Sequence, residues 1–426
     1  MKIDYPVCCG IDVHKSFLIA TVVTTISGEL TPHYQKKRFS TFNNQILALK
    51  QWLLDCNCYD VCMESTGKYW IPVFNLLEDV MNVTIANPKW VRAVKGNKDD
   101  EKDSKWIADL FRLGLVRGSF IPKKDIRVMR EFTRYRTRLV GHRSSEKNRL
   151  QNAFTVGNVA MDSVVSDMFG VSSKKIRDYL ISTKDFDPDH MLTLIHGRMK
   201  PKGKDLIDSI EGYSFTNEQI LRIQIIEEHK TFLDHSIDFI DYLLNQLAAP
   251  YEPAIKLLET IPGIKRQSAI QIISEIGVDM SQFPTSRKLC CWAGLSSYKN
   301  ESAKKKNSVR ISRAGVYLKP LLVQCAHAAV KAKEKNSYYR MKYERISKRR
   351  GKKRAIIAIA RMMLTAIYHM FSNGEIWNPS DLYKIDMPDN LVQKQKTKAI
   401  KQATKLLIAE GILPEDFVRK EFAPSG

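Results

Sequence analysis

The feature that most constrains this chain is a change in apolar period along it. Over residues 1–115, short runs of Val, Ile, Leu, Cys and Thr alternate with segments whose apolar residues return every three or four positions. Val7–Val13 and Phe17–Thr25 are strand-like runs joined by a turn at His14-Lys15, and His33–Phe39 is a third candidate strand. Phe42–Leu54 then sets Ile46, Leu47, Leu49, Trp52 and Leu53 at helical spacing. Val61–Met63 reads as a buried strand, Tyr69–Leu77 as a helix, and Val83–Ala86 as a last strand ended by Asn87-Pro88. A helix over Asp100–Leu115 follows, through Trp106, Ile107, Leu110 and Phe111. The order βββαβαβα calls for a sheet flanked by helices, so residues 1–118 are expected to form an α/β domain.

Beyond residue 118 the period is helical. Residues 119–252 open on a long basic helix, Ile126–Phe154, carrying Arg127, Arg130, Arg134, Arg136, Arg138, Arg143, Lys147 and Arg149. Later in that region Ile223, Ile226, Leu233, Ile237, Ile240, Leu244 and Leu247 keep alternating three- and four-residue steps, interrupted only by Lys230. Such a stripe reads as a coiled-coil seam between subunits, with an antiparallel partner in the same chain as the alternative. Residues 253–373 form a second helical region, opening with a helix-hairpin-helix-like element around Leu257–Ile264. Its Pro262-Gly263 turn could offer backbone amides to a phosphate. Residues 374–426 read as a polar tail with one helix near Thr397–Ala409.

Charge narrows the function. Sixty-eight Lys and Arg face 46 Asp and Glu, a net +22. Between Ala303 and Arg354 there are 18 basic residues against Glu334 and Glu344. A surface so lopsided suits phosphate backbones, which makes nucleic acid the expected partner. The candidate contacts are Arg127, Arg130, Arg134 and Arg138, then Lys304, Lys305, Lys306, Arg310, Arg313, Arg349 and Arg350. A membrane is not expected. The apolar run Ala355–Ala360 stops at Arg361, short of the roughly 20 residues a span needs. Asp4 and Pro6 stand where a signal peptide needs apolar residues, so a cytoplasmic place is expected. Eight cysteines form no CxxC pair. Cys56, Cys58 and Cys62 lack both zinc-ligand spacing and a nearby His, so reduced, buried thiols are expected.

Four carboxylates stand out. Asp12 lies in an apolar strand, where an unpaired charge is costly. Glu64 ends the strand Val61–Met63, and Asp100 and Asp103 share a face at a helix start. Gathered at one point they would repel one another unless cations neutralised them. Mg²⁺ held so can clamp both oxygens of a phosphodiester in exchange. Each also has a plainer role: helix-start acids at 100 and 103, a turn residue at 64, and an Asp12–Lys15 pair. Thr66-Gly67-Lys68 is no phosphate-binding P-loop, because Cys62 stands where its first glycine belongs.

Gly10-Ile11-Asp12-Val13-His14-Lys15, Met63-Glu64-Ser65-Thr66-Gly67-Lys68-Tyr69-Trp70 and Lys98-Asp99-Asp100-Glu101-Lys102-Asp103-Ser104 resemble the three acidic motifs of the DEDD transposases. These are enzymes of bacterial insertion sequences (the IS-one-ten family), related to Piv-type DNA invertases. Further on, Glu259–Ile264, Cys291-Trp292-Ala293-Gly294-Leu295, Glu301-Ser302 and Ile311-Ser312-Arg313-Ala314-Gly315 resemble that family's later motifs, in its order. Two departures are visible: Ser104 where the family has Ala, and Ser296-Ser297 for a polar residue and Pro.

The resemblance implies a RuvC-like, ribonuclease-H-fold catalytic domain over 1–118, a helical coiled-coil region, and a mainly α-helical transposase domain. It implies Mg²⁺ (or Mn²⁺) on Asp12, Glu64, Asp100 and Asp103, and Ser302 as a nucleophile forming a phosphoserine link to DNA, with Ser308 and Ser312 as rivals. It also implies donor and target DNA as substrates, a structured non-coding bridge RNA as guide, and a homo-oligomer, dimer or tetramer. A junction nuclease activating water with the same acids, a Piv-like invertase, and a non-catalytic nucleic-acid scaffold are the alternatives.

Overall fold

The computed structural model describes residues 3–26, 31–65, 67–87, 100–183, 185–296, 301–302, 305–306, 311–332 and 337–379, with single positions 397, 400, 404 and 408; of residues 100–102, 301–302 and 305–306 only the backbone is described. The chain divides into two compact units, Met1–Arg127 and Val128–Gly426.

The first unit follows the expected order. It contains β1 (Val7–Val13), β2 (Phe17–Thr24), β3 (His33–Ser40), α1 (Asn43–Asp55), β4 (Asp60–Glu64), α2 (Trp70–Leu77), β5 (Asn82–Ala86) and α3 (Asp100–Arg112). The five strands make one sheet in the order β3-β2-β1-β4-β5. β1, β2 and β3 pair antiparallel, while β1–β4 and β4–β5 are parallel. That is the mixed sheet of the ribonuclease-H fold, so the expected fold class holds.

Alternation along the strands sorts their side chains onto two faces. Cys9, Ile11, Val13, Val61, Met63 and Ile85 join the larger core with Ile46, Leu49, Trp52 and Leu53 of α1 and Val73, Phe74 and Leu77 of α2. Cys8, Cys62 and Ala86 point the other way, to Ile107, Ala108 and Phe111 of α3. Cys58 and Cys62 therefore belong to different cores. All eight cysteines are free, and burial pushes the Cys58 and Cys62 thiols up to about 12.

The second unit is helical: α4 (Lys124–Val156, begun in the first unit), α5 (Val171–Ser182), α6 (Pro188–Thr193), α7 (Gly203–Asp208), α8 (Asn217–Leu247), α9 (Glu252–Glu259), α10 (Arg266–Ile276), α11 (Ser286–Trp292), the short strands β6 (Glu301–Ser302) and β7 (Lys305–Lys306), α12 (Leu318–Val330), α13 (Tyr338–Arg350) and α14 (Lys352–Asn373). Thr216 starts α8 with a capping box, its hydroxyl accepting from the Gln219 amide while the Gln219 side chain accepts from the Thr216 amide.

The apolar stripe of α8 is not left for another subunit. Ile223, Ile226, Leu233, Ile237, Ile240 and Leu244 are each at most 7% exposed within the single chain. Arg136 pairs with Asp241, Arg143 with Asp234 and Glu146 with His229, so α4 and α8 run antiparallel side by side. The same-chain alternative holds, and the expected intersubunit seam along this stripe is corrected. A heptad stripe demands an apolar partner, and the basic helix already supplied one from its other face.

Two further expectations change. The apolar stretch does not stop at Arg361, because one cation on an outer face leaves the buried stripe unbroken. α14 runs to Asn373, long and apolar enough by length and composition to cross a membrane. Ala355, Ile356, Ile359, Ala360, Met363, Leu364, Ile367 and Met370 are instead buried in the unit, against α11, α12 and α13. The helix hairpin α9–α10 forms as expected, but its Gly263 (φ +89°) packs inward. A Cβ there would sit 2.4 Å from the Cys325 carbonyl and 2.8 Å from the Ala329 nitrogen of α12. Close helix packing is thus what this glycine provides.

Candidate active site

The acid face of the first unit is built by a register and a glycine. β1 and β4 are parallel neighbours with Gly10 opposite Cys62 and Ile11 opposite Met63. Asp12 and Glu64 each lie two residues further on, so they stand side by side at the strands' C-terminal ends. Both share the face of Gly10 and Cys62, the face that α3 covers.

α3 crosses that face very closely at Gly10. A Cβ on Gly10 would lie 2.4 Å from the Ser104 carbonyl oxygen and 2.4 Å from the Ala108 nitrogen, so only glycine fits. The Ser104 hydroxyl, fully buried, bonds Thr21 of β2 at 2.8 Å. The serine that departs from the family's Ala thus has a partner across the sheet.

Contacts along α3 descend as β1 ascends. The Asp4 and Tyr5 amides donate to the Arg112 carbonyl, Cys8 Sγ reaches the Ala108 carbonyl, and Gly10 abuts Ser104 and Ala108. Two more strand residues advance about 6.6 Å, the rise of four to five helix residues. Asp12 is therefore level with the first turn of α3, where Asp100 begins the helix and Asp103 is half-buried. The Asp100 side chain lies outside the described residues.

Asp12 is 14% exposed, and His14 Nε2 donates to its Oδ2 at 2.9 Å. The tight β1–β2 turn holds that histidine. Its amide donates to the Phe17 carbonyl (2.9 Å) and its ring stacks on Phe17 with centroids 4.5 Å apart. Among the described residues it is His14, and not the Lys15 that spacing allowed, that is seen paired with Asp12. Among the described residues no three His, Cys, Asp or Glu side chains are already close enough to hold a metal. The donors are nonetheless hard carboxylate oxygens, the kind Mg²⁺ and Mn²⁺ take.

The serine strand lies in the second unit. Glu301 pairs with Lys306 and Ser302 with Lys305, so Ser302 and Lys305 are register partners. The segment's ends are held by two glycines. A Cβ on Gly294 (φ +69°) would be 2.3 Å from the Ala314 carbonyl, and one on Gly315 (φ +67°) 2.1 Å from the Ala293 carbonyl. Lys319 Nζ caps the same clasp, donating to the carbonyls of Ser312 (2.8 Å) and Ala314 (3.0 Å). Two motifs 20 residues apart in sequence are thereby locked back to back. The Ser302 side chain, Ser308, Lys304 and Arg310 lie outside the described residues.

Of the four candidate arginines on α4, three are occupied by their own chain. Arg127 forks onto Glu78 and also reaches Asn75 (3.2 Å). Arg130 donates to the carbonyls of Ser274 (3.0 Å) and Glu275 (2.7 Å), and Arg134 forks onto the Glu275 carboxylate at 2.7 and 2.8 Å. A basic residue count cannot distinguish such anchors from a binding face. Arg138, Arg313, Arg349 and Arg350 are exposed.

Two family models match the chain, and both are transposases. The DEDD transposase model of IS110 matches residues 9–156, spanning Asp12, Glu64, Asp100 and Asp103. The Transposase IS116/IS110/IS902 family model matches residues 255–343, spanning Ser302. The chain belongs to the IS110 family of transposases. No curated protein matches it.

An IS110-family transposase is a DNA-acting enzyme, so DNA is the substrate of this chain. The matches cover the acid face, α4 and the glycine clasp, while α8 lies between them. Three participants escaped the sequence reading: His14, Thr21 and Lys319. The first two carried weak signals, a histidine two residues from a strand acid and a hydroxyl inside an apolar strand.

Proposed function

We propose that this transposase cuts and rejoins DNA through Ser302, with Asp12, Glu64, Asp100 and Asp103 holding Mg²⁺ (or Mn²⁺). The observation that carries the reading is the shared face of Asp12 and Glu64, onto which Gly10 admits the first turn of α3. Bound there, the cation supplies charge neutralisation for the scissile phosphate and its exchanging oxygens. His14 fixes the Asp12 carboxylate in place. Ser302 Oγ forms a bond to phosphorus as the strand's own phosphoester bond breaks. Its proton goes to a nearby acceptor, and a deoxyribose hydroxyl is released to rejoin later. Lys305, its register partner, offers positive charge to the crowded phosphate. The net charge of +22 supports a guide RNA held beside donor and target DNA, with base pairing supplying the sequence choice. A homo-oligomer, dimer or tetramer, completes the reading.

The test is a denaturing gel. Full-length protein is incubated with Mg²⁺, donor and target DNA, and RNA transcribed from the DNA flanking its gene. Expected is DNA covalently attached to protein, absent from Ser302→Ala and from Asp12→Ala. Free nicked DNA without adduct would transfer the chemistry to water, and adduct formation without RNA would remove the guide.

A further inference from the structure

The helix α14 is apolar on two faces, and only one of them is buried among its neighbours. Along the second face Ile357, Ala358, Met362 and Ala366 follow at helical spacing, each only half-buried, and form the floor of a cavity of about 730 Å³. Gly374 (φ +70°) ends the helix, and Ile376 and Trp377 beyond it make a wall of the same cavity. Trp377 is held firmly. Its ring stacks on Tyr339 with centroids 5.6 Å apart, its Nε1 donates to the Tyr339 hydroxyl at 3.2 Å, and its amide donates to Thr260 Oγ1 at 3.2 Å. Thr365, His369 and Asn373 bring hydroxyl, imidazole and amide groups to the lining. Arg354 and Arg361 stand on the same stripe, both exposed. Arg354 closes the run Lys348–Arg354, in which six of seven residues are basic and all are exposed. Leu295 and Ile311 line the cavity as well. These two flank the segment that the glycine clasp fastens, with Ser302 seven residues after the first and nine before the second.

We propose that this cavity receives one unstacked base of the DNA strand that Ser302 attacks, within a few nucleotides of the attacked phosphate. The placement rests on the serine reading above. A helix apolar nearly all round belongs in a fully buried place, so the half-buried face of α14 calls for an occupant. Size, lining and charge select a nucleobase. The volume falls in the range of roughly 300–1,000 Å³ that encloses a small ligand. The apolar floor and the Trp377 wall suit the flat face of a base, and the hydroxyl, amide and imidazole groups can answer donors and acceptors on its edge. An apolar peptide would need no cationic mouth. A base arrives on a phosphate backbone, and the run Lys348–Arg354 with Arg361 offers that backbone its complement. From Leu295 the chain reaches Ser302 within about 25 Å even when fully extended, so serine and cavity serve one short stretch of strand. Drawing a base out beside the break loosens the duplex there, and the filled cavity keeps the strand in place while its end is joined to protein.

Fluorescence anisotropy with the full-length protein and no Mg²⁺ provides the test. Two labelled duplexes of one sequence are compared, one fully paired and one carrying a single bulged adenine. Wild type is expected to bind the bulged duplex roughly tenfold more tightly, because its extra base is already free to leave the stack. Ala366→Trp fills the floor of the cavity and should bring that ratio to one, with affinity for the paired duplex within about twofold of wild type, since the basic run is untouched. Ala358→Trp fills the same floor one helix segment away and serves if the first variant fails to fold. Equal affinity of wild type for the two duplexes overturns the proposal. So does a preference that survives in a folded filling variant; if its melting temperature also falls, the cavity belongs to residues 380–426 of the chain itself. Position is read from the covalent adduct on Mg²⁺-containing gels, which both variants should form at least about tenfold more slowly. Adduct at the wild-type rate overturns the place beside the attacked phosphate. Absence of adduct from wild type instead defeats the serine reading, and the duplex ratio still decides the cavity.

Discussion

Gly10 sets the distance between the sheet and the helix that brings residues 100 and 103 to Asp12. Gly10→Ala puts a methyl 2.4 Å from two backbone atoms of α3, which must retreat. Expected are a loss of about 1–3 kcal/mol in stability and a fall in Mg²⁺-dependent strand cleavage, read by denaturant unfolding and nicking assays; an unchanged nicking rate would detach the glycine from the site. The acids behave oppositely. Asp12→Ala, Glu64→Ala, Asp100→Ala and Asp103→Ala should each cost at least roughly 10²-fold in cleavage with little change in melting, because removing one carboxylate relieves its neighbours. Near-normal cleavage in any of them removes that residue from the metal set. At this scale the acids were legible, since a charge in an apolar strand is conspicuous and the motifs resemble a family's. His14 and Thr21 were not, because a hydrogen bond across a turn or a sheet has no fixed spacing in sequence.

Elements were legible where their periods are pure. Every strand and helix of the first unit through β5 falls within a few residues of its expected bounds, because β1 and β4 alternate sharply between two cores. The stripe of α8 was legible as a seam, yet its partner was not: periodicity says that a face is buried, never by whom. Ile237→Asp/Ile240→Asp should therefore unfold the α4–α8 pair, each buried charge costing several kcal/mol, and appear as lost helicity rather than a clean change in mass. The pair also has a pH signature. Burial works against the Asp234 carboxylate, but hydrogen bonds from Lys230 and Arg143 outweigh it and lower its pKa. A carboxylate depressed in the folded state stabilises above its unfolded pKa of about 3.9 and loses that contribution as pH falls below it. Wild type and Asp234→Asn should thus differ in melting temperature at pH 7 and draw together as pH falls below about 3.9 and on through the lowered folded-state value.

For the whole molecule, affinity and chemistry should separate. Ser302→Ala removes one oxygen while the basic residues that set binding stay, so the protein–DNA adduct should vanish with DNA affinity and its salt slope unchanged within about twofold. Adduct from that variant would pass the role to Ser308 or Ser312. The glycine clasp adds a consequence for how this part of the chain can vary. Gly294 and Gly315 fix the two ends of the segment between them, so the entropy of closing that segment is set by the clasp and grows only slowly with length. Two extra residues inserted between Ser302 and Lys305 should leave melting nearly unchanged, since loop closure changes by only about 0.1 kcal/mol. The same insertion breaks the register that faces Ser302 with Lys305. Folding would then tolerate a length drift that strand transfer does not, and the tolerated length of this segment becomes a record of the chemistry rather than of stability.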